Sequence, residues 1–394
     1  MINRTKILIE GYCHLPTYDM LVDSLERYCQ VVPIDVKCKL SRNITSNDIA
    51  WCDVLIVVRG DNPLSAYLSK AAKKSGRKVV LFLDDDLVAV RSEVKSLENK
   101  YCYKSLMTVI RTVDYILTCS QYLGEKYKSS FGLNYALLHT DISKEQIVHS
   151  PNCSNSNTIK FLYAASKGHT VFFEKLVAPV LNDLYAKYGN KLSLTVIGPD
   201  VNLKNIRLKV NKVRSMPYEE YRSFMNNNCF DIGLAPLFDN EMCRSKYFNK
   251  YLEYSTNGIC GIYSNVIPYT LVVHNRVNGY LSDNTTEEWY NCLCEAIDNL
   301  SLSKQYVKNA QESILLDFSL STIATSVYKE LKPVFIHDSN SIFAPNCRNM
   351  HFMYINKAVY RNIMKLWDRF EQKGLKYVVV EIYYDIKGVF NRKK

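Results

Sequence analysis

The feature that most constrains the fold of this chain is a series of short, predominantly apolar runs separated by helical patterns. The runs in the first half are KILIEGY (6–12), VVPIDVK (31–37), DVLIVV (53–58), KVVLFLD (78–84) and DYILTCS (114–120). They lack strict alternation of apolar and polar residues, which is typical of strands buried on both faces. The stretches with helical spacing between them are 17–29, 63–75, 102–112 and 120–129. The pattern predicts a parallel sheet covered by helices on both sides.

The same alternation starts again after residues 149–158 (HSPNCSNSNT), a polar stretch that we interpret as a linker. The strands predicted beyond it are 159–164, 192–198, 209–213, 230–237 and 259–264. The helices predicted there are 170–187, 217–226 and 246–257, with two or three more between 286 and 331. The chain of 394 residues is long enough for two such domains.

We therefore predict an α/β fold of two doubly wound, Rossmann-like domains that face each other across a cleft. The domains are expected at residues 1–150 and 155–331, followed by a C-terminal basic, amphipathic helical tail at 332–394. In sheets of this kind, ligands bind beyond the carboxyl ends of the strands. The cleft is therefore the expected binding site.

The residues after the first strand argue against two large classes of nucleotide-binding protein. They are Gly11, Tyr12, Cys13 and His14. No glycine-rich phosphate loop follows this or any other predicted strand, which argues against NAD-dependent oxidoreductases and P-loop nucleotide hydrolases. Gly11 and His14 are still expected at the cleft edge, where His14 either contacts a ligand or is a surface loop residue.

The composition and the N-terminal sequence indicate where the protein is located and whether it holds a metal or a cofactor. The N-terminus, MINRTKILIEGY, is interpreted as a strand rather than a signal peptide, and no stretch reaches about 18 uninterrupted apolar residues. We therefore expect a cytoplasmic protein. The chain has 13 cysteines, but no pair has C-x-x-C spacing and no histidine lies near Cys292 and Cys294 at zinc-ligand spacing. No metal site and no cofactor is predicted.

The segment with the most chemical information is 229–264, CFDIGLAPLFDNEMCRSKYFNKYLEYSTNGICGIYS. A strand ends in a polar loop, and a helix is predicted to begin near Lys246, with Lys250 and Glu253 on the same face. A helix N-terminus with nearby lysines favours a diphosphate, and a carboxylate can accept two hydrogen bonds from a ribose diol. The pattern indicates a nucleoside diphosphate site. The alternatives are a solvent-facing ion pair between Lys250 and Glu253, and a surface lysine at 246.

This segment resembles the donor-binding core of group 1 (GT4-like) glycosyltransferases, in particular bacterial members with the pattern FDIGLAPL…KS-x-x-KYLEY-x-x-x-G-x-P-x-x-x-S. The matching residues are Lys246, Lys250, Tyr251, Leu252, Glu253, Tyr254, Gly258 and Ser264. Glu253 corresponds to the second glutamate of the family's E-x7-E pair, whereas Ser245 replaces the first, and Cys260 replaces the proline. The resemblance implies a GT-B fold, with the donor in the second domain and the acceptor on the side of the first.

The resemblance extends over about residues 50–330. The stretch YAASKGHTVFFEKLVAPVL (163–181) resembles the start of the family's donor domain, which implies that Lys167, Gly168 and His169 face the donor phosphates. The alternative is that Lys167 and His169 are ordinary loop residues and that Gly168 permits a positive φ angle. The other resembling stretches are VVLFLDDDL (79–87), VDYILTCSQYL (113–123) and VNGYLSDNTTEEW (277–289).

Three consecutive carboxylates, Asp84, Asp85 and Asp86, end the fourth predicted strand. One of them could be the base that deprotonates an acceptor hydroxyl, because a carboxylate with a raised pKa suits that role. They could instead hold acceptor hydroxyls or cap the following helix. Their D-x-D spacing also resembles the metal motif of GT-A glycosyltransferases, but the donor features lie in the other half of the chain.

The tail is strongly basic, within a chain whose net charge is +11. From Ile355 to Lys394 there are ten Lys/Arg and four Asp/Glu, and Val359, Ile363, Leu366 and Phe370 follow at helical spacing. Apolar and basic residues in this arrangement predict an amphipathic element on an anionic membrane surface. The alternative is a helix that packs on the first domain. No recognised motif accompanies the charge, so no nucleic acid is predicted as a partner.

The sequence as a whole predicts a glycosyltransferase acting in surface polysaccharide synthesis, with a nucleotide sugar as donor and a glycan or lipid-linked glycan as acceptor. The family resemblance implies a retaining reaction that needs no metal. Because the acid pair is incomplete, a non-catalytic sugar-nucleotide or glycan-binding subunit is one alternative. A sugar-nucleotide epimerase of GT-B type is the other.

Overall fold

A computed structural model of the protein describes residues 4–13, 15–89, 103–148, 158–165, 167–198 and 200–335. The chain divides into two compact units. The first comprises the described residues up to His139 together with those from Ala324 onward, and the second is Thr140–Ile323. Most of the predicted linker, and the predicted tail beyond residue 335, lie outside the described residues. No helix within the described ranges is long and apolar enough to span a bilayer.

The described residues of the first unit form a six-stranded sheet in which every pairing is parallel. Its strands are β1 (Thr5–Gly11), β2 (Ile34–Leu40), β3 (Val54–Val58), β4 (Lys78–Leu83), β5 (Tyr115–Thr118) and β6 (Tyr135–Leu137), in the order β2-β1-β3-β4-β5-β6. All five residues of β3 are buried, as its non-alternating apolar sequence predicts.

The helices of the first unit include α1 (Pro16–Tyr28), α2 (Ser46–Trp51), α3 (Pro63–Lys74), α4 (Tyr103–Ile110) and α5 (Gln121–Phe131). Side chains cap the N-termini of α2, α3 and α5, whereas α1 has no side-chain cap. Asn62 caps α3 by accepting a hydrogen bond from the Ser65 amide, and Pro63 occupies the first helical position. Ser120 caps α5 in the same way. The helices pack against the buried faces of the sheet and close the core around Leu55, Leu81 and Ile116.

The second unit repeats this architecture. Its strands are β7 (Ile159–Ala164), β8 (Leu192–Gly198), β9 (Lys209–Arg214), β10 (Ile232–Ala235), β11 (Cys260–Ser264) and β12 (Tyr280–Ser282), in the order β12-β11-β10-β7-β8-β9. All pairings among them are parallel. The core includes Phe161, Ile232, Ile262 and Trp289. The prediction of two doubly wound α/β units is therefore confirmed.

The remaining helices follow the prediction with three differences. They are α6 (Thr170–Leu176), α7 (Leu181–Tyr188), α8 (Tyr218–Asn227), α9 (Glu241–Arg244), α10 (Asn249–Thr256), α11 (Thr286–Asp298), α12 (Leu300–Asp317) and α13 (Leu320–Phe335). The helix predicted at 170–187 is interrupted at Pro179, which has no amide hydrogen and disfavours a continuous helix. The helix predicted to begin near Lys246 begins at Asn249 instead, and the short helix α9 before it was not predicted.

Candidate functional site

Each sheet has one point at which the strand order reverses, and in open α/β sheets this point marks the ligand site. In the second unit it lies between β7 and β10. The turn Lys167–His169 follows β7, and the loop 236–248 follows β10 and leads into α10. The two segments that the sequence assigned to a donor therefore follow the two strands on either side of the switch point.

The helix α10 places Glu253 and Lys250 within its first two turns. The Lys250 Nζ donates hydrogen bonds to both carboxylate oxygens of Glu253, at 2.9 Å to Oε1 and 2.8 Å to Oε2. The two side chains are only 24% and 21% exposed. The ion pair predicted as an alternative is thus present, but it is largely enclosed rather than solvent-facing.

Tyr221, on α8, also belongs to this cluster, and sequence reasoning missed it. Its hydroxyl donates a hydrogen bond to Glu253 Oε1. Burial and the neighbouring Glu253 carboxylate raise the pKa of Tyr221 well above its usual value, so the hydroxyl keeps its proton. The only signal in the sequence was an aromatic residue on the helix before β10, 32 positions from Glu253.

Lys246 does not lie on α10, so the prediction that it shares a helix face with Lys250 and Glu253 is wrong. Its amide donates to the carbonyl of Cys243 at 3.1 Å, which completes the turn at the end of the short helix α9. The side chain is half-buried in the loop three residues before α10. Lys246 is therefore on the segment that leads to the helix N-terminus rather than on the helix itself.

The loop after β10 is held in place by its own polar contacts. The Arg244 guanidinium donates to both carboxylate oxygens of Asp239, at 2.6 and 2.8 Å. Asn240 caps α9 through the Cys243 amide. The Leu237 amide donates to the buried hydroxyl of Ser264 at 2.8 Å, which ties the end of β10 to the end of β11. Ser264, a match to the family pattern, therefore has a structural role.

The turn after β7 is packed on one side and open on the other. The backbone carbonyl of His169 accepts a hydrogen bond from the Tyr163 hydroxyl at 2.9 Å. The centroid of the His169 ring lies 5.4 Å from that of the Phe172 ring. Gly168 is exposed and does not adopt a positive φ angle, so that interpretation of the glycine is wrong. A Cβ at Gly168 would meet no atom within 4 Å. The backbone of this turn is therefore accessible from outside.

In the first unit the switch point lies between β1 and β3, and polar residues follow both strands and β4. Asp84 directly follows β4, as predicted. Its Oδ2 accepts a hydrogen bond from the Thr17 hydroxyl, and its Oδ1 lies 3.4 Å from Arg59 Nη1. Burial raises the pKa of Asp84, against the opposing effect of Arg59. Within the described residues, Oδ1 is buried and accepts no hydrogen bond.

Arg59 is held in an uncommon backbone conformation beside this carboxylate. It follows β3 and has a φ angle of 63°. Non-glycine residues seldom adopt this conformation, and where they do it is often at a functional site. Its Nη1 also lies 3.4 Å from the Thr17 hydroxyl oxygen. The three side chains form a polar cluster at the carboxyl edge of the first sheet.

The other two aspartates differ from Asp84. Asp86 is buried, and its Oδ1 accepts hydrogen bonds from the amides of Val88 and Ala89, both at 3.1 Å. Its Oδ2 pairs with Lys126 Nζ at 2.5 Å. These contacts are those of a helix cap, because residues 87–89 are helical. Asp85 is half-buried.

A further buried acid, Glu10, lies at the end of β1 and was not identified from the sequence. Hydroxyl groups of Ser41 and Ser65 donate to its Oε1, the latter at 2.7 Å. Its Oε2 has no hydrogen-bond partner among the described residues. Burial raises the pKa of Glu10 to about 7, although both hydroxyl contacts oppose the shift.

Gly11 is explained by packing. A Cβ there would come within 2.2 Å of the Tyr18 ring, so α1 can approach the end of β1 only because this residue is glycine. His14, the other residue predicted at this edge, lies outside the described residues. Within the described part of the chain, no group of three or more His, Cys, Asp or Glu side chains is arranged to hold a metal ion.

Comparison with known proteins identifies the fold. The chain matches no protein-family model and no curated protein. It is similar to the solved structure of sucrose-phosphate synthase from Thermosynechococcus elongatus, with 10% identity, 84% of this chain and 99% of that chain covered, and a TM-score of 0.58. It is also similar to the solved structure of Anabaena HepE in complex with UDP and glucose, with 13% identity, 84% of this chain and 100% of that chain covered, and a TM-score of 0.59. A third similar structure is that of WaaG, a glycosyltransferase involved in lipopolysaccharide biosynthesis, with 12% identity, 82% of this chain and 99% of that chain covered, and a TM-score of 0.54. At these identities the likeness establishes the fold alone, which is the predicted two-domain, Rossmann-like GT-B fold.

Proposed function

We propose that this protein is a glycosyltransferase that transfers a sugar from a nucleoside diphosphate sugar to a hydroxyl of a glycan or lipid-linked glycan in surface polysaccharide synthesis. The proposal rests on one observation, the placement of Glu253 and Lys250 at the start of α10, beside the switch point of the second sheet. It is supported by proteins of the same fold, since HepE was solved with UDP-glucose and WaaG is a glycosyltransferase.

In this proposal each donor-site residue has a separate role. Glu253 accepts hydrogen bonds from the ribose diol. Lys250 and Lys246, with the N-terminus of α10, neutralise the diphosphate as it leaves, which is electrostatic stabilisation of developing negative charge. The turn Lys167–His169 is assigned to the same phosphates, because its exposed Gly168 lets a ligand approach the backbone.

The acceptor is assigned to the first unit. We assign Asp84 to contact a substrate hydroxyl, because it directly follows β4 at the carboxyl edge of the first sheet and its side chain is 21% exposed. The raised pKa of Asp84 also suits a group that accepts a proton. Asp85 remains a second candidate for acceptor contact, whereas the capping contacts of Asp86 favour a structural role. We propose a retaining, metal-independent reaction.

We further propose that the protein works in the cytoplasm at the inner face of the membrane. The sequence of the tail supports this location, because ten basic residues accompany its apolar stripe. A lipid-linked acceptor would be held at the same surface.

A second candidate function, a binding protein of the same fold without turnover, is favoured by Ser245. This residue replaces the first glutamate of the family pair. It is buried, and its hydroxyl donates to the Glu241 carbonyl at 2.8 Å. It therefore offers no carboxylate to a bound sugar.

A thermal-shift screen with UDP-, GDP- and dTDP-sugars tests the proposal, because a bound donor raises the melting temperature by mass action. We expect at least one UDP- or GDP-sugar to raise it, and transfer to an acceptor to persist in EDTA. No shift with any donor would contradict the proposal. Binding without turnover would favour the binding protein, and turnover of donor without acceptor would favour an epimerase. Activity lost in EDTA and restored by Mn²⁺ or Mg²⁺ would contradict metal independence.

A further inference from the structure

The Glu253 carboxylate is nearly saturated by contacts within the protein. A carboxylate has about four lone-pair positions for hydrogen bonds. Oε1 accepts from both Tyr221 and Lys250, and Oε2 accepts from Lys250. Since a ribose diol needs two acceptor positions and about one remains, the diol cannot bind unless one of these donors leaves.

Lys250 is the donor that can leave. It lies in the first turn of α10, where the helix dipole disfavours a cation. Its Nζ lies over the rings of Tyr221 and Tyr254 at 5.6 and 5.7 Å, and it pairs with the Glu253 carboxylate in this half-buried position. A diphosphate at the same helix N-terminus would offer Nζ a more strongly charged partner.

Tyr221 is the donor that stays. It is attached to a different helix, and the raised pKa of its hydroxyl keeps it a hydrogen-bond donor at every physiological pH. Its single contact leaves the other positions of the carboxylate available. Tyr221 therefore fixes the direction of Glu253 without blocking it.

We propose that nucleotide binding exchanges partners at Glu253: Lys250 moves from the carboxylate to the diphosphate, the ribose diol takes its place, and Tyr221 remains as the residue that positions Glu253. This inference rests on the proposed donor site and adds two features to it. The ribose part of the ligand competes with Lys250, whereas the phosphate part needs it. Removing Lys250 should therefore have opposite effects on nucleosides and on nucleoside diphosphates.

The test compares uridine with UDP and guanosine with GDP, using ligand-detected NMR for the nucleosides and calorimetry for the diphosphates. Lys250→Met should bind the nucleoside roughly threefold to tenfold more tightly, because a competing hydrogen-bond donor is gone. It should bind the diphosphate roughly tenfold or more weakly, because a charge-assisted contact is lost. Tyr221→Phe should weaken both ligands by similar factors, since it acts on Glu253 alone.

Two matched controls lie elsewhere in the same unit. Lys187→Met removes an exposed lysine paired with Asp298, and Tyr185→Phe removes an exposed hydroxyl bonded to Asn190. Both should behave like the wild type. Weaker binding of nucleoside and diphosphate alike in a folded Lys250→Met would overturn the exchange while leaving the donor site intact. Failure of the wild type to bind UDP or GDP would overturn the proposed function, and the exchange with it.

Discussion

Glu10 is fully buried at the carboxyl end of β1, where the hydroxyl groups of Ser41 and Ser65 donate to one of its carboxyl oxygens. Its pKa of about 7 lies above the ordinary value of 4.5, so the folded state holds the proton more tightly than the unfolded chain. This stabilisation is complete below about pH 4.5 and is lost as the pH rises to about 7.

Glu10→Gln, which mimics the protonated acid, should remove this pH dependence. Relative to the wild type, the variant should gain about 3 kcal/mol in its free energy of unfolding between pH 4.5 and pH 8. Urea unfolding of both proteins across this range measures the difference. A difference that does not change with pH would contradict the buried, protonated state of Glu10.

Asp86 is predicted to act on stability rather than directly on chemistry. Asp86→Ala removes a helix cap and leaves Lys126 without its carboxylate, so the free energy of unfolding should fall by about 2–4 kcal/mol. Asp86→Asn keeps an acceptor for the two amides and should lower the free energy of unfolding by less than Asp86→Ala does. Chemical unfolding at neutral pH checks both values, and an Ala variant as stable as the wild type would contradict the capping role.

The residues that sequence reasoning missed share one property, which is that their partners are distant along the chain. Ser41 and Ser65 lie 31 and 55 positions from Glu10. Tyr221 lies 32 positions from Glu253. By contrast, Lys250 and Glu253 were found because their contact spans three positions on one helix, a spacing that is visible in the sequence.

Among the elements, α10 and β10 approach each other closely because Gly233 has no side chain. A Cβ at this position would lie 2.5 Å from the ring of Tyr254, whose hydroxyl donates to the Leu234 carbonyl at 2.9 Å. This contact sets the position of the helix that contains Glu253 and Lys250.

Gly233→Ala should therefore lower both stability and nucleotide affinity. Overpacking of this kind costs about 1–3 kcal/mol, and the displaced helix would move the proposed ribose and phosphate contacts. Melting temperature and UDP calorimetry measure the two effects. If contact with the Tyr254 ring causes these losses, Gly233→Ala should lower stability and nucleotide affinity by less in a Tyr254→Leu background. Equal losses of stability and affinity in both backgrounds would contradict a role for the contact between Gly233 and the Tyr254 ring.

Element boundaries were harder to predict than the elements themselves, because apolar periodicity does not show where a helix is interrupted. The break at Pro179 follows from a property of one residue that the periodicity of the surrounding apolar positions conceals. The start of α10 at Asn249 could not be predicted, because the preceding short helix α9 satisfies the amides of Ser245 and Lys246 and delays the next helix.

For the whole molecule, the two-domain fold was predictable because parallel strands buried on both faces have a sequence pattern that repeats. Which unit the last described helix joins depends on tertiary contacts. Glu330 on α13 accepts a hydrogen bond from the Leu137 amide at 2.8 Å, across 193 positions, and so covers the edge strand β6 of the first unit. The predicted cleft site for both substrates remains a proposal.

The tail from Ile355 to Lys394 remains a prediction from the sequence, because it lies outside the described residues. Its net charge of +6 should make the full-length protein co-sediment with liposomes that contain anionic lipid, and less so at high salt. Deleting 355–394 should weaken this binding and leave donor binding intact. A lower melting temperature on deletion, with no liposome binding by the intact protein, would instead indicate a structural strut.

The central claim is that Glu253 binds the nucleotide of a sugar donor, and calorimetry with UDP and GDP tests it most directly. The comparison is between the wild type, Glu253→Ala and Glu287→Ala, a control at an exposed glutamate of α11. We predict that the wild type and the control bind at least one of the two nucleotides with equal affinity. We predict that Glu253→Ala, with an unchanged far-UV spectrum, loses this binding. Unchanged affinity in a folded Glu253→Ala, or no binding of either nucleotide by the wild type, would contradict the claim.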